Sequence, residues 1–232
     1  AIVSAAEKLG ATVLVQSANS DDALQFSQCQ NLLTQGIDVL IVIPHNGRVM
    51  GSIVKEAHES NVPVIAYERL LMDCDLDYSI SFDNRKIGEL QAQTLVDIKP
   101  YGNYVVMGGS PTDNNALIYR DAHMAILKPY VDKGDIHIVN NEWAKDWLPQ
   151  EGMRIVENAL TANDNDITAV VASNDSTAQG AIEALEAQGL AGKVLVSGQD
   201  ADLRSCQLVA EGKQTMTVYK PMKLLGTEAA IL

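Results

Sequence analysis

Two periodicities alternate along this chain. Short unbroken apolar runs, such as Val39-Leu40-Ile41-Val42-Ile43 and Ala169-Val170-Val171-Ala172, are separated by longer stretches in which apolar residues recur every three or four positions. The first kind reads as strand and the second as amphipathic helix. Strands are predicted over Ala11–Gln16, Val39–Ile43, Val62–Tyr67, Tyr78–Phe82, Tyr104–Gly108, Ile136–Asn140, Thr168–Ser173, Val194–Gly198 and Thr215–Tyr219. Helices are predicted over Ile2–Leu9, Asp21–Thr34, Val49–Glu59, Lys86–Val96, Asn115–Lys128, Pro149–Leu160, Ser176–Gln188, Asp202–Ala210 and Met222–Leu232. Because the strand runs are continuous rather than alternating, both faces of the sheet should be covered, which is the condition of a parallel sheet. Asp21 and Asp22 suit a helix N-terminus. Asp175, Ser176 and Asp200–Asp202 read as N-caps, and Gly10, Gly189 and Gly212 as C-terminal stops.

The βα rhythm breaks at Pro100-Tyr101-Gly102-Asn103 and then resumes. Lys220-Pro221 marks a second change, since a residue before proline is held extended. These breaks predict an α/β protein of two Rossmann-like, doubly wound lobes. Residues 1–101, joined by 221–232, form the N-terminal lobe, and 102–220 form the C-terminal lobe. A doubly wound sheet needs a central strand feeding its first helix. The expectation is therefore a piece of a chain of ~300 residues, lacking its first strand and C-terminal end.

Five of the predicted strands deliver polar groups where they stop. Tyr67 leads to Glu68 and Arg69, Gly109 to Ser110 and the Asp113-Asn114-Asn115 turn, and Ser173 to Asn174 and Asp175. Gly198 leads to Gln199 and Asp200, and Tyr219 to Lys220. Ligands of parallel sheets bind beyond the carboxyl ends of the strands, where several segments converge. Without a Gly-rich phosphate loop, such a set suits a small, neutral, polyhydroxylated molecule.

Charge and composition narrow the classes. With 17 basic against 30 acidic residues the net charge is −13, which opposes a nucleic-acid backbone. No apolar run reaches the ~18 residues of a membrane span. Cys29, Cys74 and Cys206 are odd in number and far apart, so they define neither a disulfide framework nor a metal site. The Asn163–Asp166 run lacks the glycine and closing glutamate of a calcium loop and reads as a solvated turn. Nucleotide-binding and nucleophile-elbow motifs are absent, and the histidines are scattered. No catalytic residue, metal or cofactor is expected.

Several stretches resemble the periplasmic sugar-binding proteins of bacterial ABC transporters. In the first half they are Gln16-Ser-Ala-Asn19, Pro44-His-Asn46-Gly47, Ala66-Tyr67-Glu68-Arg69 and Ile80-Ser-Phe-Asp83-Asn84. In the second half, Met107-Gly-Gly-Ser110 through Asn115, Trp147-Leu-Pro, Ser173-Asn174-Asp175, Gln199-Asp200-Ala-Asp202 and Tyr219-Lys220-Pro resemble the xylose-binding subgroup of that family. The resemblance implies the class I periplasmic-binding-protein fold. It also implies a monomer that captures D-xylose between lobes, closes about crossovers near residues 100–104 and 219–221, and meets a membrane permease outside the cytoplasm. It places Arg69 of the first lobe with Asn115, Trp147, Asn174 and Asp200 of the second around the sugar, joined by Lys220. Glu68 stands where relatives usually carry Asp, and its longer side chain sets its part in sugar binding apart from theirs. Two rival readings share the fold, a sugar-sensing domain of a transcription regulator or of a membrane kinase system.

These residue types fit a sugar. Hydroxyls around a ring edge suit the donor fork of Arg69, the acceptor pair of Asp200 and the mixed amides of Asn115 and Asn174. The weakly apolar ring face suits the flat indole of Trp147. Trp143 is assigned to packing.

Overall fold

The computed structural model describes residues 1–232. In chain order the elements are α1 (Ile2–Lys8), α2 (Asp22–Thr34), β1 (Leu40–Val42), α3 (Gly47–Glu59), β2 (Val64–Tyr67) and β3 (Tyr78–Ile80). They continue as α4 (Asn84–Ile98), β4 (Gly102–Gly108), α5 (Asn114–Lys133), β5 (Ile136–Trp143), α6 (Pro149–Ala162) and β6 (Ala169–Ala172). The chain ends with α7 (Asp175–Ala187), β7 (Leu195–Val196), α8 (Leu203–Ala210) and α9 (Met222–Ala229). A 3-10 turn, Lys145–Trp147, precedes α6.

Two compact units result. The first comprises Ala1–Phe82, Thr112–Asn115 and Pro221–Leu232; the second comprises Asp83–Pro111 and Ala116–Lys220. The first holds a parallel sheet in the order β1-β2-β3, with Ile41 opposite Ile65 and Ala66 opposite Ser79. Alternate strand residues face opposite ways. Accordingly Val64 and Ala66 pack on Met50, Ile53 and Val54 of α3, while Tyr67 packs on Leu225 and Ala229 of α9.

The second unit holds a parallel sheet in the order β5-β4-β6-β7. Val105, Met107, Val170 and Ala172 face Ile155 and Val156 of α6 and Ile182 and Leu185 of α7. Tyr104, Val106, Ala169 and Val171 face Leu95 and Val96 of α4 and Leu127 of α5. Each fully buried aliphatic side chain of these layers contributes roughly 1.5–3 kcal/mol. The ladders therefore form a stiff base from which strand ends project.

Four sequence expectations are corrected. Ala11–Gln16 is not a strand; no ladder partner lies beside it, and Leu14 and Val15 are exposed. Thr215–Tyr219 forms only an isolated bridge, Gln199 with Val218. There the Val196 N–H turns to the Thr215 hydroxyl, which interrupts the backbone ladder. The first unit gives way to the second at Phe82/Asp83 rather than near residue 101, because α4 buries Ala92, Leu95 and Val96 against the second sheet. Asn115, expected in the second lobe, belongs with the 112–115 segment to the first unit.

Candidate functional site

In the first unit, the candidate groups gather at the end of β2. Glu68 lies in left-handed backbone, φ +67°, a conformation that residues with a Cβ avoid. Two bonds hold it there: its N–H donates to the Ile80 carbonyl (2.8 Å), and its own carbonyl accepts from the Ser81 hydroxyl (2.7 Å). The bend throws Arg69 out of the sheet. Arg69 Nε meets Asp113 Oδ2 at 2.9 Å, and Glu68 Oε2 lies 3.8 Å from the same nitrogen. The Asp113 side chain is 2% exposed and that of Arg69 26%. The carboxylate is thus the hidden half of the pair, and the guanidinium the half that solvent or a ligand can reach.

Asn115 joins the same group. Its Nδ2 donates to the Glu68 carbonyl (2.9 Å) and to Glu68 Oε1 (3.3 Å), and its N–H donates to Asp113 Oδ1 (2.9 Å). Glu68, Arg69 and Asn115 therefore form one hydrogen-bonded set. Asp113 anchors it, a role that sequence reasoning missed. The available signal was an acidic residue two positions before Asn115, inside the same turn.

The second unit gathers its own set. Lys220 Nζ lies 3.2 Å from Asp200 Oδ1, with the lysine side chain 8% exposed and the aspartate 40%. Here the cation is hidden and the carboxylate is presented. Asp200 and Ala201 both have positive φ, +102° and +53°. Asp202 caps α8 through the Ser205 N–H, as expected.

Asn174, not Asp175 or Ser176, caps α7: Asn174 Oδ1 accepts from the Thr177 N–H (3.0 Å) and the Thr177 hydroxyl (2.7 Å). A backbone N–H can only donate, so the amide oxygen faces the helix and the Asn174 NH2 faces away from it. Asp175 turns inward instead and is fully buried, accepting from Gln214, Thr217 and the Asp202 N–H. Burial pushes its carboxyl up to about 6, against the lowering effect of those three donors.

Trp147 also has positive φ (+59°), directly after Asp146 (+53°). Its ring meets Tyr119 edge-on, with centroids 6.4 Å apart, a favoured aromatic geometry. It lies on Gly109, where a Cβ would overlap ring atoms. Trp143 stacks beneath the Arg120 guanidinium (4.3 Å to the ring) and against Gly108, in keeping with packing. Among eleven non-glycine residues with positive φ, most are Asn, Asp or Ser in turns, which tolerate it; Glu68, Trp147 and Ala201 are not. Two of these three are candidate ligand residues from the sequence and the third follows Asp200. Backbone strain of this kind persists where surrounding structure enforces it.

One further polar chain supports the second unit's strand ends. Gln91 Nε2 donates to the Ser173 carbonyl (3.0 Å), and Gln91 Oε1 faces His123 Nε2 (2.8 Å). The amide orientation makes His123 Nε2 the donor. Complete burial holds the imidazole neutral, down to about 3.

The sequence profile described as a periplasmic binding protein domain matches residues 1–232. The D-xylose-binding periplasmic protein of Escherichia coli (strain K12) is 58% identical over 228 residues, covering 98% of this chain and 69% of that protein. The protein of the same description from Haemophilus influenzae is 53% identical over 228 residues, with the same 98% and 69% coverage. Among solved structures, an ABC transporter solute-binding protein from Clostridium phytofermentans with bound β-D-glucose superposes with a TM-score of 0.91 at 28% identity, covering 98% of this chain and 75% of that one.

Proposed function

From the premise that the chain belongs to the periplasmic binding protein domain family, we propose that it is the extracytoplasmic solute-binding component of an ABC sugar importer and that its ligand is D-xylose. The observation that carries this reading is the pair of compensated charges, Arg69 over buried Asp113 and Asp200 over buried Lys220. Each pair presents one strong hydrogen-bonding group while its partner cancels the charge. A neutral, hydroxylated ligand can use both without leaving a net charge desolvated. An anionic or cationic ligand would be opposed by one of them.

Sugar hydroxyls donate and accept at once. Arg69 meets Asp113 through Nε, and its two terminal NH2 groups serve as donors to hydroxyl oxygens. Asp200 accepts hydroxyl protons, the free NH2 of Asn174 donates, and the Trp147 face takes the ring carbons. Asn115 and Glu68 complete the ligand set, with Glu68 also orienting Asn115. Charge-assisted hydrogen bonds contribute roughly 1.5–3 kcal/mol each, and a few of them, less the cost of ordering, reach the ~8 kcal/mol of micromolar affinity. No chemical step is assigned. The protein acts as a monomer that binds, closes and is read by a membrane permease.

The test is calorimetric titration with D-xylose, ribose, arabinose and glucose. D-xylose should bind tightest, and Asp200→Ala or Arg69→Ala should weaken it more than about tenfold with the circular dichroism spectrum retained. Unchanged affinity in both variants would refute the assigned ligand set.

A further inference from the structure

The loop that carries Asp200 cannot hold its shape by local preference, because two successive residues with a Cβ sit at positive φ, Asp200 and Ala201. Three consecutive amides restrain it from outside. Asp200 N–H donates to the Val218 carbonyl (2.9 Å) and Ala201 N–H to the Thr217 hydroxyl (3.1 Å). Asp202 N–H donates to Asp175 Oδ2 (3.1 Å). The Thr217 hydroxyl then donates its own proton to the same Asp175 oxygen (3.0 Å). The other oxygen, Oδ1, accepts from Gln214 Nε2 (2.9 Å), which also reaches the Met216 carbonyl (3.1 Å).

One fully buried carboxylate thus collects three donors from two chain segments, the Asp200 loop and residues 214–217. No cation is among its partners. The second segment leads within three residues from Thr217 to Lys220, the hidden partner of Asp200. Two independent features mark the arrangement as built around this carboxylate. A Cβ at Gly198 would overlap both the Asp175 and the Gln214 side chains, so glycine is required there. Gln214 Oε1 is buried with no hydrogen-bond partner; the amide is oriented by what its nitrogen binds, at the expense of its oxygen.

We propose that Asp175 is a positioning residue for the ligand site: its carboxylate ties the 200–202 loop to the 214–217 segment and so presets the Asp200–Lys220 pair that receives sugar hydroxyls. This rests on the binding reading above. An ionised carboxylate accepts at both oxygens and never donates, which matches three converging donors; an amide of the same shape would turn an N–H toward one of them.

The test combines amide hydrogen exchange of the ligand-free protein with D-xylose calorimetry, on the wild type, Asp175→Asn, Thr217→Val and Thr217→Ser. Asp175→Asn and Thr217→Val should each speed exchange at Asp200, Ala201 and Asp202, and each should weaken D-xylose roughly tenfold, the effect of losing a charge-assisted bond. Thr217→Ser keeps the hydroxyl and should restore both properties. The double variant Asp175→Asn/Thr217→Val should be little worse than either single one, because both cut the same link. Faster exchange with unchanged affinity would overturn the proposal, as would a Thr217→Ser variant as impaired as Thr217→Val. If the wild type binds D-xylose and neither Asp175→Asn nor Thr217→Val alters affinity, this inference alone falls; if the wild type binds none of it, the binding reading falls and takes this one with it.

Discussion

The first unit and the second each hold a cation against a carboxylate of different exposure, Arg69 on Asp113 and Lys220 on Asp200, and the two arrangements are inverted. Around Arg69 the acid is hidden and the base exposed; around Asp200 the base is hidden and the acid exposed. The difference shows what burial does to an ion pair at a binding surface. The hidden member offsets charge and fixes geometry, and the exposed member is the one that solvent can reach. The first arrangement presents a donor and the second an acceptor.

The comparison breaks most visibly if the exposed member is removed, because the hidden one then loses the opposite charge beside it. Arg69→Met takes the cation from beside Asp113, a carboxylate with almost no access to water, and should cost about 3 kcal/mol of stability. Urea denaturation followed by far-ultraviolet circular dichroism would show it. Asp200→Asn removes the charge but leaves an amide oxygen that still accepts from Lys220 Nζ, and about 1 kcal/mol is expected in the same experiment. Equal losses would mean that the amide oxygen does not take the place of the carboxylate beside Lys220 Nζ.

Within the second unit, the two buried titratable groups pull in opposite directions. Asp175 keeps its proton up to about 6 in the folded chain, against 3.8 for an ordinary aspartate. Between those values the folded state holds a proton that the unfolded state has lost, so acidification stabilises it. His123 refuses a proton down to about 3, against an ordinary 6.5. Over that range the unfolded state gains a proton that the folded state excludes, so acidification destabilises it. Each group contributes about 1.4 kcal/mol per pH unit, and between pH ~4 and ~6 they nearly cancel. Relative to wild type, His123→Gln should gain stability as pH falls through this window, and Asp175→Asn should lose it. Both tryptophans, Trp143 and Trp147, lie in this unit, so their fluorescence during urea titration reports its unfolding selectively. Parallel tilts in the two variants would refute the opposed titrations.

The smallest effect concerns the indole. Gly109→Ala places a methyl group against the Trp147 ring, and a displaced ring should shift the emission and weaken D-xylose by about threefold, the scale of one aromatic contact. Unchanged emission and affinity would mean that Trp147 does not depend on Gly109 for its seat.

Much of this molecule could be read before folding. Unbroken apolar runs such as Val105–Met107 and Val170–Ala172 became parallel strands covered on both faces, because a residue buried on either side has no polar alternative to offer. Strand ends became the places where Glu68, Arg69, Asn174 and Asp200 stand. Ala11–Gln16 shows the limit of that logic: an apolar run becomes a strand only beside a ladder partner, and none adjoins it. The α4 helix shows another, since its apolar stripe says that it must be buried but not against which sheet.

What the amino-acid order determined by itself was local: element type, the residue kinds at strand ends, and so the sort of ligand they suit. What only the tertiary structure decided was partnership. Asp113 behind Arg69, Lys220 behind Asp200, and Asp175 turned inward while Asn174 took the cap are contacts between segments distant in the chain or choices between neighbours of equal capping ability. Propensity and periodicity act over a few residues, whereas burial and charge compensation are settled only when remote segments meet and exclude water.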